Sequence, residues 1–127
     1  MAAYSGFLAL AALKAGRRDL FSRELFVLAR HAVRDGQFAE IYHPADGRIY
    51  GGIQEGGGEY LEWRSCENQT WSASALLAMI FFGIFGLDPE GRPGKSFLPE
   101  GIDRAELSGL YVRGREIHLT AERKNSQ

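Results

Sequence analysis

The chain has a single cysteine, Cys66, so an internal disulfide is excluded, and with no histidine close to it in sequence a thiolate nucleophile is not expected. An excess of charge is also missing. Fifteen basic residues meet 16 acidic ones among 127, for a net −1, and no basic stripe marks a face for nucleic acid. His31, His43 and His118 are scattered, without the spacing of a metal site, and neither a metal nor any other cofactor is expected. The 16 glycines form no G-x-G-x-x-G, and no Lys-Ser or Lys-Thr follows them, so a phosphate cradle is excluded. The apolar start carries Lys14, Arg17 and Arg18 after its apolar run rather than before it, which reads as a helix and not as a signal peptide. The longest uncharged run, Thr70 to Leu87, is 18 residues and includes Thr, Ser and Gly, with nothing basic flanking its start. A buried helix is expected there rather than a membrane span. A cytoplasmic protein with no nucleic-acid or membrane partner is the expectation.

What is present reads as helices first and strands last. Tyr4, Phe7, Leu8 and Ala11 share one helical face, which predicts a helix from Ala3 to about Ala15, stopped by Gly16. Nothing caps its start, which suggests a chain cut from something longer. Asp19 is a candidate N-cap for a second helix reaching about Arg34, with Gly36 as terminator and Phe21, Leu25, Leu28 and Ala32 as its inward stripe. The two helices form an antiparallel hairpin on this reading. The stretch from Gln37 to Gln69 reads as a long irregular loop: "HPADG" is a turn, and "GGIQEGGGEY" is too rich in glycine for regular structure. A third helix, about Trp71 to Phe85, is apolar all round and needs every face buried. The tail alternates like strands, with Leu107, Leu110, Val112, Ile117 and Leu119 inward and a hairpin turn at Arg113-Gly114.

Three stretches carry a resemblance. "EIYHPADG" resembles the Glu-x-Tyr-x-Pro-x-x-Gly segment in which six-hairpin (α/α)-barrel glycoside hydrolases of the trehalase, mannosylglycerate hydrolase and processing α-glucosidase clan place their general base. "NQTWSAS" resembles the opening of that barrel's last inner helix, and "FLPEGIDRAELSGLYVRGREIHLT" its short β tail. The resemblance implies a mainly α fold with a small antiparallel β tail. Residues 1–87 would be a partial (α/α) barrel of about three helices, and residues 88–127 a C-terminal β unit. It further implies a C-terminal fragment of such a hydrolase, inactive alone, because the aspartate general acid of the family has no counterpart in this chain.

Inverting hydrolysis needs an acid for the leaving oxygen and a base for the attacking water, roughly 6.5 to 9.5 Å apart. By resemblance Glu40 is the base, and Tyr42 orients it or lines the sugar pocket. Tyr50, Trp63 and Trp71 offer flat faces to a sugar ring, and Gln69 and Asn68 offer bonds to its hydroxyls. Glu55, Glu59, Glu62 and Glu67 form a diffuse acidic loop. The implied partner is an α-glucoside-like carbohydrate, in a homo-oligomer or together with a missing N-terminal barrel portion. The competing expectation is a non-catalytic module that self-associates or binds a partner chain.

Overall fold

The segment after Met1 is rich in Ala and Leu and free of β-branched residues, and it forms α1, Ala2–Lys14. The structure, a computed structural model, describes residues 2–56 and 58–123, with side chains described for 4–53 and 58–123. A three-residue connection leads to α2, Arg18–Asp35, and Gly36 closes α2 in the left-handed conformation at φ 64°. Asp19 is not the N-cap. That place belongs to Arg17, and Asp19 lies in the first turn, where its carboxylate accepts two bonds from the Arg17 guanidinium at 3.1 and 2.9 Å. This arrangement suits the positive end of the helix dipole.

The apolar stripe of α1 is not its inward face. Tyr4 and Phe7 are each 67% exposed and Leu8 63%, whereas Ala9 is 0% and Ala12 8% exposed. The small residues pack inward because α1 crosses a third helix at close range. A methyl added at Gly6 would sit 2.7 Å from the Cβ of Ala75. The third helix is α3, Thr70–Ala78, continued by a wider π-helical segment over Met79–Ile84. In that segment the Phe85 amide donates to the Ile80 carbonyl, five residues back, at 3.1 Å. Gly83 lies directly under the ring of the fully buried Phe21, and a side chain there would overlap it. The full burial expected for this apolar run is not found: Trp71 is 72%, Leu77 49% and Phe82 44% exposed.

The glycine-rich stretch is a β hairpin and not an irregular loop. β1, Gly52–Gly56, pairs antiparallel with β2, Glu59–Trp63, in a register that sets Gly52 opposite Trp63. Backbone pairing needs no side chains, and Gly51 and Gly52 let the chain pass close against the Trp63 backbone and indole. The tail forms β3, Arg104–Val112, and β4, Arg115–Glu122, joined by Arg113 and Gly114 at φ 50° and 75°. That pair of positive φ values fits a tight hairpin turn. A register shift between Leu107 and Leu110 keeps both leucines on the core side.

One buried cluster joins the three helices and the β3–β4 hairpin, and among the described residues β1 and β2 contribute none to it. Ala9, Phe21, Leu25, Leu28, Met79 and Ala121 belong to it, with Leu107, Leu110 and Leu119 packed against it. The expected mainly α architecture, a partial (α/α) barrel, is therefore corrected. Among the described residues, helix, the π-helical segment included, accounts for about 38% and strand, in two small antiparallel sheets, for about 24%, an α/β mix. The difference comes from the β1–β2 hairpin, hidden in the sequence because β1 begins and ends in glycine and β2 shows no alternation of burial.

Gly83→Ala is expected to destabilise the chain. Adding a methyl against the enclosed Phe21 ring costs about 1–3 kcal/mol, which outweighs a helix-propensity gain of at most about 1 kcal/mol. Thermal unfolding is the check, with a midpoint lowered by a few degrees; an unchanged midpoint would show that Phe21 is free to move.

Candidate functional site

The segment from Phe38 to Tyr50 is a short hairpin folded around "HPADG". The Gly47 amide donates to the His43 carbonyl at 2.8 Å, the His43 amide to the Arg48 carbonyl at 2.8 Å, and the Tyr50 amide to the Ile41 carbonyl at 3.1 Å. Its first residues are stitched to the chain around the start of α3. The Gln69 amide donates to the Phe38 carbonyl at 2.7 Å, and the Glu40 amide to the Cys66 carbonyl at 2.9 Å. Two buried serines complete the seam. The Ser72 hydroxyl donates to the Ala39 carbonyl at 2.9 Å, and the Ser65 hydroxyl accepts from the Ile41 amide at 2.9 Å. Glu40 is thus held between two residues whose backbones are each fixed by a buried side chain.

Glu40 itself is half-buried, and among the described residues its carboxylate makes no hydrogen bond or ion pair. Tyr42 points back along the segment. Its hydroxyl accepts from the Ala39 amide at 2.8 Å, and its ring stacks on His31 with centroids 4.2 Å apart. Tyr50 stands edge-on to His43 at 5.0 Å. Trp63 ends β2 against Gly52. Gln69 is the N-cap of α3, its side-chain oxygen accepting from the Trp71 amide at 3.3 Å, and the Asn68 amide donates to the Gln37 side chain at 2.8 Å. Glu59, Glu62 and Glu67 are exposed, and the Glu55 side chain lies outside the described residues.

Two cavities separate residues expected to share a sugar pocket. Tyr42 lines a cavity between α2 and the 42–47 turn, and Trp71 lines a separate groove with Gly6, Phe7 and Ala78; Glu40 lines neither. Among the described residues no group of His, Cys, Asp and Glu is arranged to hold a metal ion, and no helix is long and apolar enough to cross a membrane. Comparison with protein-family models, with curated proteins and with solved structures finds no match to this chain.

Sequence reasoning missed Ser65, Ser72 and His31. A serine inside an otherwise apolar helix was the readable signal for Ser72, since a buried hydroxyl needs a partner. His31 sits on α2 among groups of both signs. Burial pushes its pKa below the ordinary value, Arg34 and Arg30 push the same way, and Asp35 opposes them.

This depression has a sign that can be tested. The unfolded chain takes up a proton on His31 near the ordinary value of about 6.5, and the folded chain does so only at lower pH. The stability held by neutral His31 is fully present above about pH 6.5 and is lost as pH falls from there through the lowered folded value. The depressed carboxyls of Asp35, Asp46 and Asp88 titrate below that window. Urea midpoints measured from pH 7.5 to 5 are expected to fall, and His31→Gln is expected to flatten that decline. An equal decline in the variant would assign it to another group.

Proposed function

We propose that the chain is a glycoside hydrolase-like segment carrying the general-base carboxylate, Glu40, of an inverting site, and that it cleaves no glycoside until further protein supplies the general acid. The observation that carries this reading is the state of Glu40: half-buried, unpaired among the described residues, and fixed on both sides by the Ser65 and Ser72 bonds. No buried side-chain oxygen is left without a partner among the described residues, so the Glu40 carboxylate reaches solvent, where it can meet a water molecule. The two residues just before the stretch that resembles the glycosidase base segment are also bonded to the stretch that resembles the opening of the last inner helix, Phe38 to Gln69 and Ala39 to Ser72. Water activated by Glu40 would attack the anomeric carbon from the face opposite the leaving group, and the α-linked substrate would yield a product of inverted configuration.

Two substrates separate base from acid. Trehalose needs a proton on its leaving oxygen and is expected to be left intact by the chain alone. α-Glucosyl fluoride needs almost no acid assistance and is expected to be hydrolysed slowly at high concentration. Glu40→Gln should lower that slow rate by about 10²-fold or more, the usual contribution of a general base. Equal fluoride hydrolysis by wild type and variant would remove Glu40 from the base position. Trehalose turnover abolished by the same substitution would show that the chain supplies its own acid.

A second reading, a non-catalytic module that self-associates or binds a partner chain, is favoured by the outward face of α1 and α3. Tyr4, Phe7 and Leu8 stand exposed on α1, Phe7 shares a groove with the exposed Trp71 of α3, and Lys14 is the only charged residue of α1. Apolar surface gathered in this way drives association. Sedimentation velocity is expected to show concentration-dependent association that the double substitution Phe7→Lys and Trp71→Lys reverses. A monodisperse wild-type monomer that binds no hydrophobic dye would remove this reading.

A further inference from the structure

The cavity between α2 and the 42–47 turn has a volume of about 580 Å³, within the few-hundred to thousand Å³ range of small-molecule sites. Glu40 does not line it, so a ligand held there is independent of the hydrolase reading. Its charges are almost all matched. The Arg34 guanidinium holds Asp35 through two bonds of 2.7 Å and also donates to the Gly47 carbonyl. Asp46 faces His43 at 3.2 Å and Arg48 at 3.4 Å. Glu24 is bound by Arg23 at 3.1 Å. Arg30 is the exception. Its Nε donates to the Phe26 carbonyl at 3.2 Å, and among the described residues its guanidinium has no carboxylate partner. The cavity therefore holds one uncompensated cation, with outer N–H groups left to bind a ligand.

The geometry points to a binding site for a small organic anion, its acid group held by Arg30 and its body against Val27, Leu28 and the stacked His31–Tyr42 pair. A planar guanidinium matches the two oxygens of a carboxylate or a phosphate ester, and this fork is the chemistry the two headgroups share. The side chains of Val27 and Leu28 and the edge of the aromatic stack give the body an apolar wall. The site also reports its occupancy. His31 is faced by Arg30, Arg34 and Asp35 from α2 and by Tyr42, His43 and Asp46 from the turn. An anion on Arg30 offsets the positive side of that surrounding and makes His31 easier to protonate. By linkage, binding tightens as pH falls toward 6.

The test is an NMR titration of the full chain with benzoate, phenyl phosphate and, as an uncharged control of similar shape, benzyl alcohol, following the imidazole signals of His31 at pH 6 and pH 8. One or both anions are expected to shift those signals saturably, and benzyl alcohol is not; the tightening at pH 6 is read from benzoate, whose charge is the same at both pH values, because a phosphate monoester loses its second proton near pH 6. Saturation by benzoate alone assigns a carboxylate headgroup, and saturation by phenyl phosphate alone a phosphate ester. Arg30→Gln should weaken the anion roughly tenfold or more, the usual effect of losing a charge-assisted bond, and Arg30→Lys should retain part of the affinity. Because Arg30 is exposed, both variants are expected to melt with wild type. No shift with either anion, equal shifts with benzyl alcohol, or undiminished binding in a folded Arg30→Gln protein would each overturn the site.

Discussion

The contact on which the rest of the molecule depends is the close crossing of α1 and α3 at Gly6 and Ala75. No side chain separates the two backbones there, since even a methyl at Gly6 would come within 2.7 Å of the Ala75 Cβ. Such an approach admits only small residues, and α1 supplies them as Gly6, Ala9 and Ala12. The consequence falls on the opposite face. A helix whose small residues are spent on the contact turns its large ones outward, and Tyr4, Phe7 and Leu8 are left in solvent. The exposed apolar surface is thus the reverse side of a well-made internal packing.

α3 is also the anchor of the candidate site. Its first turn receives the Phe38–Ile41 segment through Gln69 and Ser72, and its distal half widens under Phe21 at Gly83. The worth of the Ser72 bond lies less in its net gain, about 1 kcal/mol, than in the roughly 1–3 kcal/mol that a buried carbonyl left without a donor would cost. Ala39, fully buried, has no water to turn to. The position of Glu40 is accordingly set by the helix, and any change that moves α3 against α1 moves the carboxylate as well.

How much of the fold was legible in the sequence depends on how each signal arises. Gly36 and the Arg113-Gly114 turn were readable because positive φ strongly favours a few residue types. β3 and β4 were readable because one of their faces is buried and alternation results from that. The spacing of Tyr4, Phe7, Leu8 and Ala11 was equally visible, but periodicity identifies a face and does not say which face meets the core. When the opposite face is Gly and Ala, size and not polarity decides, and the reading inverts. The β1–β2 hairpin escaped because it lies largely in solvent, where Ile53, Tyr60 and Leu61 stay exposed and no alternation is imposed. The turn in the Glu40 segment was readable from "HPADG", but its seam to α3 depends on hydroxyl groups that look like ordinary serines in a linear sequence.

Tyr42 connects the two places where chemistry is gathered. Its hydroxyl is tied to the Ala39 amide, one residue before Glu40, and its ring lies nearly parallel to His31, 14° from coplanar, on the wall of the α2 cavity. A phenol fixed at both its ring and its oxygen has little freedom left. A change at His31, whether a proton or an occupant of the cavity, acts on the same side chain that braces the backbone beside Glu40. This is a positional link and not a switch, because a switch requires two arrangements with different affinities. The link nevertheless ranks the substitutions available at Tyr42. Phenylalanine would keep the stack and release Ala39, whereas leucine would lose both, so the two together separate the brace from the wall.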